Sequence, residues 1–141
     1  MLSETLSTVR FHVDRAAIRR YADITHDYNP IHLDPEFAAK TPMGGIIAHG
    51  MLSLSLIWQS LSESFEPNDL SNIVLDARFV RPVRENDWIE SGGTLKDARG
   101  VYDVWVRAES PGRQELVISG TATLAAASDM PMLSPKTEMN S

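Results

Sequence analysis

A carboxylate and an imidazole stand on either side of a proline in the run Asp27-Tyr28-Asn29-Pro30-Ile31-His32. Both residue types move protons, and an unperturbed imidazole titrates at about 6.5, close to working pH. The amide of Asn29 lies between them, where it can position the pair or a substrate. Further along, His49-Gly50-Met51 leads into a long uncharged stretch. A glycine near a helix start leaves free N–H groups and the positive dipole end open to a carbonyl oxygen that gathers charge. These are the parts of an acid–base site, with Asp27 and His32 as the reacting pair and Gly50 as an oxyanion hole.

The elements around them follow from local rules. Pro30 fixes its own φ and pushes Asn29 into an extended conformation, so Asp27 to His32 is expected to be an ordered, non-helical loop. Asp34-Pro35 reads as an N-cap and first helical residue of a short helix through about Lys40. Before the loop, Ser7 to Val13 is expected as a strand and Asp14 as the cap of a helix from about Arg15 to Ile24. After the breaker Pro42-Met43-Gly44-Gly45, the stretch Ile46 to Phe65 reads as the longest helix. Its Met51, Leu52, Leu54, Leu56, Ile57, Trp58 and Leu61 cover nearly every side, the mark of a buried helix.

The second half supplies the sheet to wrap that helix. Ile73, Leu75, Ala77 and Phe79 alternate with more polar neighbours, and so do Tyr102, Val104, Val106 and Ala108. Trp88 to Leu95 is a further strand, with Gly92-Gly93 suggesting a bulge or bend. Glu115 to about Ala125 is the last. The fold class expected is α+β, one antiparallel sheet of about five strands curled around one central helix. A single domain over residues 1–126 is followed by a flexible tail over 127–141. Such a sheet leaves an exposed edge, which a homodimer would cover.

Composition narrows the function. The 141 residues carry a net charge of −6 and no cysteine. The first is enough for one self-sufficient core; the charge argues against a nucleic-acid or anionic-membrane surface. The absence of cysteine removes disulfides and thiolate zinc sites, and no metal is called for. Thr41 to Ser62 is uncharged, but its glycines, serines, Pro42, His49 and Gln59 make a poor membrane span. Met1 to Thr8 lacks the pattern of a secretory leader, so a cytoplasmic protein is expected.

Asp27-Tyr28-Asn29-Pro30-Ile31-His32-Leu33-Asp34-Pro35, with Phe37-Ala38-Ala39 and then Ala48-His49-Gly50-Met51, resembles the hydratase motif of the MaoC-like, (R)-specific enoyl-CoA hydratases and dehydratases. The resemblance runs to about Ala125. It departs at His26, where the family often has a small residue, and at Trp58, where some relatives carry a serine that lines the site. It implies a hot-dog fold, and addition of water to a trans-2-enoyl thioester to give a (3R)-hydroxyacyl thioester, or the reverse. The thioester would be carried on coenzyme A or on the phosphopantetheine of an acyl carrier protein, with no separate cofactor. Either Asp27 or His32 can be the base that takes the proton from water.

The remaining candidates have plainer readings beside the functional ones. His49 reads first as a helix-start residue bonded to nearby backbone, and second as a polar group that touches substrate. Met51 and Trp58 read as pocket wall or core. Arg81 and Arg84, in the one dense basic run, are either contacts for carrier phosphates or a solvated strand end balanced by Glu85 and Asp87. Two other functions share the fold. A thioesterase usually sets a carboxylate on the central helix, which here has none before Glu63; a non-catalytic acyl-binding subunit would have no need of Asp27 and His32 together.

Overall fold

The computed structural model describes residues 2–124, and the expected tail over 127–141 lies outside them. Five strands form one antiparallel sheet: β1 (Val9–His12), β2 (Ile73–Phe79), β3 (Trp88–Asp97), β4 (Val101–Ser110) and β5 (Arg113–Leu124). Their order across the sheet is β1-β3-β4-β5-β2, which leaves β1 and β2 at the edges. The alternation read from sequence is realised in β4, where Tyr102, Val104, Val106 and Ala108 are buried and the intervening residues are less so.

The helices are α1 (Arg15–Thr25), α2 (Pro30–Leu33), α3 (Pro35–Ala39), α4 (Gly50–Ser64) and α5 (Pro67–Leu70). Asp14 caps α1 by accepting from the Ala17 N–H at 2.8 Å, and Asp34 caps α3 by accepting from Glu36 and Phe37. The core forms where Leu52, Leu56, Ile57 and Leu61 of α4 meet the inner face of the sheet, Ile89, Tyr102, Val104, Val106 and Ile118 among them. Among the described residues, no helix is long and apolar enough to cross a membrane.

Three expectations are corrected. Asp27 to His32 is not wholly a loop: Pro30 to Leu33 closes one helical turn, because Asn29 stays extended as its N-cap while Pro30 supplies a ready-made first helical φ. The long helix starts at Gly50 and not at Ile46, because Ile46 to Ala48 is drawn out as an extended segment. There the Ala48 N–H donates to Val83 and the Glu85 N–H to Ile46. Nor is that helix enclosed all round, since Met51 is 57% exposed and Trp58 37%. One sheet covers one side of a helix.

Gly92 and Gly93 also have a different purpose from a bulge. They pair in register with Trp105 and Val104, and the irregularities fall at Leu95/Asp97 and Val106/Arg107. A Cβ on Gly93 would lie 2.6 Å from Leu6 Cδ1 and 2.8 Å from the Asp103 carbonyl oxygen. The glycine lets the amino-terminal segment lie against the sheet.

Candidate active site

The site is assembled on the extended segment Ile46 to Ala48, which is bonded along both edges. On one side it pairs with Val83 to Glu85. On the other, the Ile47 N–H donates to the Ile31 carbonyl at 3.3 Å, and the Ile47 carbonyl accepts from His32 Nδ1 at 2.7 Å. A carbonyl oxygen only accepts, so the proton of neutral His32 sits on Nδ1 and the lone pair is on Nε2. That is the state a general base needs.

His49 follows the segment and occupies the N-cap position of α4, without a side-chain capping bond. It is 3% exposed, and its ring stacks on that of His32 with centroids 3.9 Å apart. Its Nε2 donates to the Asp27 backbone carbonyl at 3.0 Å. A carboxylate oxygen of Asp27 and a ring nitrogen from each of His32 and His49 lie within 4.8 Å of one another. The composition of this trio is one that transition ions favour. The two rings are stacked with their planes 27° apart, and His32 Nδ1 and His49 Nε2 are each bonded to a main-chain carbonyl. The same arrangement can hold a water.

Asn29 works one step back from the pair. Its Oδ1 accepts from the Ile31 N–H at 3.1 Å, which caps the turn that carries His32. Gly50 begins α4, where neither it nor Met51 has a carbonyl one turn back within the helix to bond to. Gly50 also lines a pocket of about 280 Å³ with Met43, Ile47, Ser53, Phe79 and Arg81. Most of its lining is apolar, as in small-molecule sites generally.

Sequence reasoning thus placed Asp27, His32, His49 and Gly50 in one neighbourhood, with Arg81 at the pocket beside them. Met51 and Trp58 lie apart from it, and Arg84 joins it through its backbone pairing with Ile47 rather than by facing the pocket. The first two are on the open side of α4 and do not line the pocket, and the Arg84 guanidinium donates to the Met43 carbonyl at 2.6 Å. Ile47 was missed. What it gives His32 is a backbone carbonyl, and no side-chain type could reveal that contact.

Comparison with known proteins shows the family and the fold. Residues 2–109 match the family described as MaoC like domain. Nodulation protein N of Rhizobium meliloti is 33% identical over 78% of this chain and 77% of that protein. The 3-hydroxybutyryl-CoA dehydratase of Methylorubrum extorquens is 41% identical over 50% of this chain and 45% of its own length. Among solved structures, the (R)-hydratase from A. caviae superposes with a TM-score of 0.62 at 26% identity, covering 85% of this chain and 94% of that one. The fold is therefore the hot-dog fold.

Burial pushes the His49 pKa below the ordinary imidazole value, more than the hydrogen bond to the Asp27 carbonyl lifts it, and the neighbouring His32 lowers it further. The unfolded chain takes up this proton at about pH 6.5 and the folded chain only below that. Between the two values the unfolded state holds more protons, so the stability from neutral His49 is complete above about pH 6.5 and is lost as pH falls through the folded value. Urea titrations are expected to show the stability difference between the natural chain and His49→Gln shrinking from about pH 7.5 to about pH 5. A constant difference would contradict the neutral assignment.

Proposed function

This chain belongs to the MaoC-like domain family, and from that premise we propose that it is a hydro-lyase that adds water to a trans-2-enoyl thioester, giving a (3R)-hydroxyacyl thioester, or runs the reverse dehydration. The observation that carries the reading is the convergence of Asp27 and His32 next to the helix mouth at Gly50. His32 Nε2 takes a proton from a water as its oxygen bonds to Cβ, while the Asp27 carboxylate accepts the hydrogen bond of the second water proton. The electron pair of the double bond moves toward the thioester oxygen, which the free N–H groups at Gly50 stabilise. The imidazolium then returns its proton to Cα on the same face. Water and the enoyl thioester balance this reaction, so it needs no further cofactor.

Asn29 serves by capping the His32 turn. The apolar pocket takes the acyl or pantetheine chain, and Arg81 at its edge meets a phosphate of coenzyme A or of a carrier protein. A homodimer fits the same picture. Met51 and Trp58 on α4 and Phe79 and Val80 at the end of edge strand β2 form apolar surface that a second copy would cover. A thioesterase is a poorer reading, because α4 carries no carboxylate before Glu63 and the Asp27/His32 pair suits addition to Cβ over attack on the carbonyl.

With crotonyl-CoA, the natural chain is expected to bleach the conjugated enoyl absorbance without releasing thiol. Asp27→Asn and His32→Gln should each lower kcat by about 10²- to 10⁴-fold. A Cβ on Gly50 would come within 3.1 Å of the Phe79 ring, so Gly50→Val fills the helix mouth; kcat should fall about 10²- to 10³-fold with a much smaller loss of thermal stability. Thiol release, or full turnover in the Asp27 and His32 variants, would rule the reaction out. Arg81→Glu should raise KM for the CoA ester and leave kcat alone; an unchanged KM removes the phosphate contact. Sedimentation at the mass of one chain would remove the dimer.

A further inference from the structure

One buried titratable side chain touches the reacting groups and takes no part in the proton transfers just described. His49 stacks on the His32 ring, tilts against the Tyr21 ring at a centroid distance of 5.0 Å, and holds the Asp27 backbone through Nε2–H. Through its own main chain it leads directly into Gly50. It is therefore joined to the acid, the base and the oxyanion hole at once.

Its second nitrogen explains its charge state. Nδ1 is buried and has no hydrogen-bond partner among the described residues. A proton there would create a buried N–H with no acceptor among the described residues, at a cost the chain avoids by leaving the atom as a bare lone pair. A neutral ring also suits its neighbour. His32 becomes an imidazolium during turnover, and a second positive ring stacked on it would oppose that step.

We propose that His49 is the positioning residue of this site: as the neutral Nε2–H tautomer it fixes the plane of the His32 ring and the backbone of Asp27 relative to the mouth of α4, without exchanging a proton with substrate. The hydrogen bond to Ile47 holds His32 at one ring atom only. The stack supplies the second constraint, which stops the ring from tilting about that bond. The kinetic part of this inference rests on the hydro-lyase reading; the structural part does not.

Two substitutions separate the contacts. His49→Phe keeps an aromatic face and loses the N–H, whereas His49→Gln keeps an N–H donor and loses the ring. In both, kcat for crotonyl-CoA is expected to fall about 10- to 100-fold while KM changes little, with the folded circular dichroism spectrum retained. Histidine ¹⁵N NMR reads the positioning without any turnover. The natural chain should show His32 protonated on Nδ1 and His49 on Nε2 at pH 7, and His49→Gln should lose the ring-current shift of His32.

A His49 carrying its proton on Nδ1, or doubly protonated at pH 7, overturns the inference in the natural chain, whether or not a variant folds. So do folded variants with kcat within twofold of the natural chain and, in His49→Gln, unchanged His32 ring shifts. Correct tautomers and the expected change in His49→Gln, in a chain that does not turn over enoyl thioesters, would uphold the positioning and sink the hydro-lyase reading alone.

Discussion

The hydrogen bond from His32 Nδ1 to the Ile47 carbonyl is the constraint on which the site depends. It decides which nitrogen of the imidazole faces outward with a lone pair, and so whether the ring can act as a base at all. The carbonyl is itself held, because the segment that contains it is paired with Val83 to Glu85 on its far edge. That pairing partner is fixed in turn by Asp87, which is 2% exposed, accepts from the Arg84 N–H at 2.9 Å and meets the Arg113 guanidinium. A buried carboxylate with both partners in place is a firm anchor, since losing one would strand its charge. The tautomer of one ring is thus secured from the sheet outward.

The same segment sets the distance between the Asp27/His32 pair and the start of α4, the proposed acid–base pair and oxyanion hole. Extended backbone runs as far as His49 and helical backbone begins at Gly50, so the free N–H groups of α4 open a short way from the His32 ring. An enoyl thioester has its β-carbon and its carbonyl oxygen separated by a few bonds, and a site for conjugate addition must address both ends together. A helix beginning four residues earlier, at Ile46, would have moved the mouth away and removed the carbonyl that orients His32.

Much of this was legible from residue types. Asp14 and Asp34 cap the helices they were expected to cap, and the alternation in Ile73 to Phe79 and Tyr102 to Ala108 gave two strands of the sheet directly. The motif from Asp27 to His32 and the His49-Gly50 pair located the site. What stayed hidden depended on tertiary contacts. Ile46 and Ile47 are apolar residues at the front of an apolar run, and periodicity alone cannot tell a helical start from a buried extended piece. The burial of His49 needed the Asp27 carbonyl and the Tyr21 ring beside it, residues distant in the chain. Gly92 and Gly93 read as a bend because the approach of Leu6 to them is invisible in a linear sequence. The exposure of Met51 and Trp58 belongs to the open side of α4, where a lone chain has nothing to set against it.

The central claim is that one water, gripped by Asp27 and His32, supplies both the hydroxyl and the proton from a single side of the double bond. Hydration of crotonyl-CoA in deuterium oxide, followed by NMR of the product, tests it most directly. The account predicts a (3R)-hydroxybutyryl thioester in which the new deuterium at Cα and the hydroxyl at Cβ lie on the same face. A 3S product, or deuterium and hydroxyl on opposite faces, would contradict it.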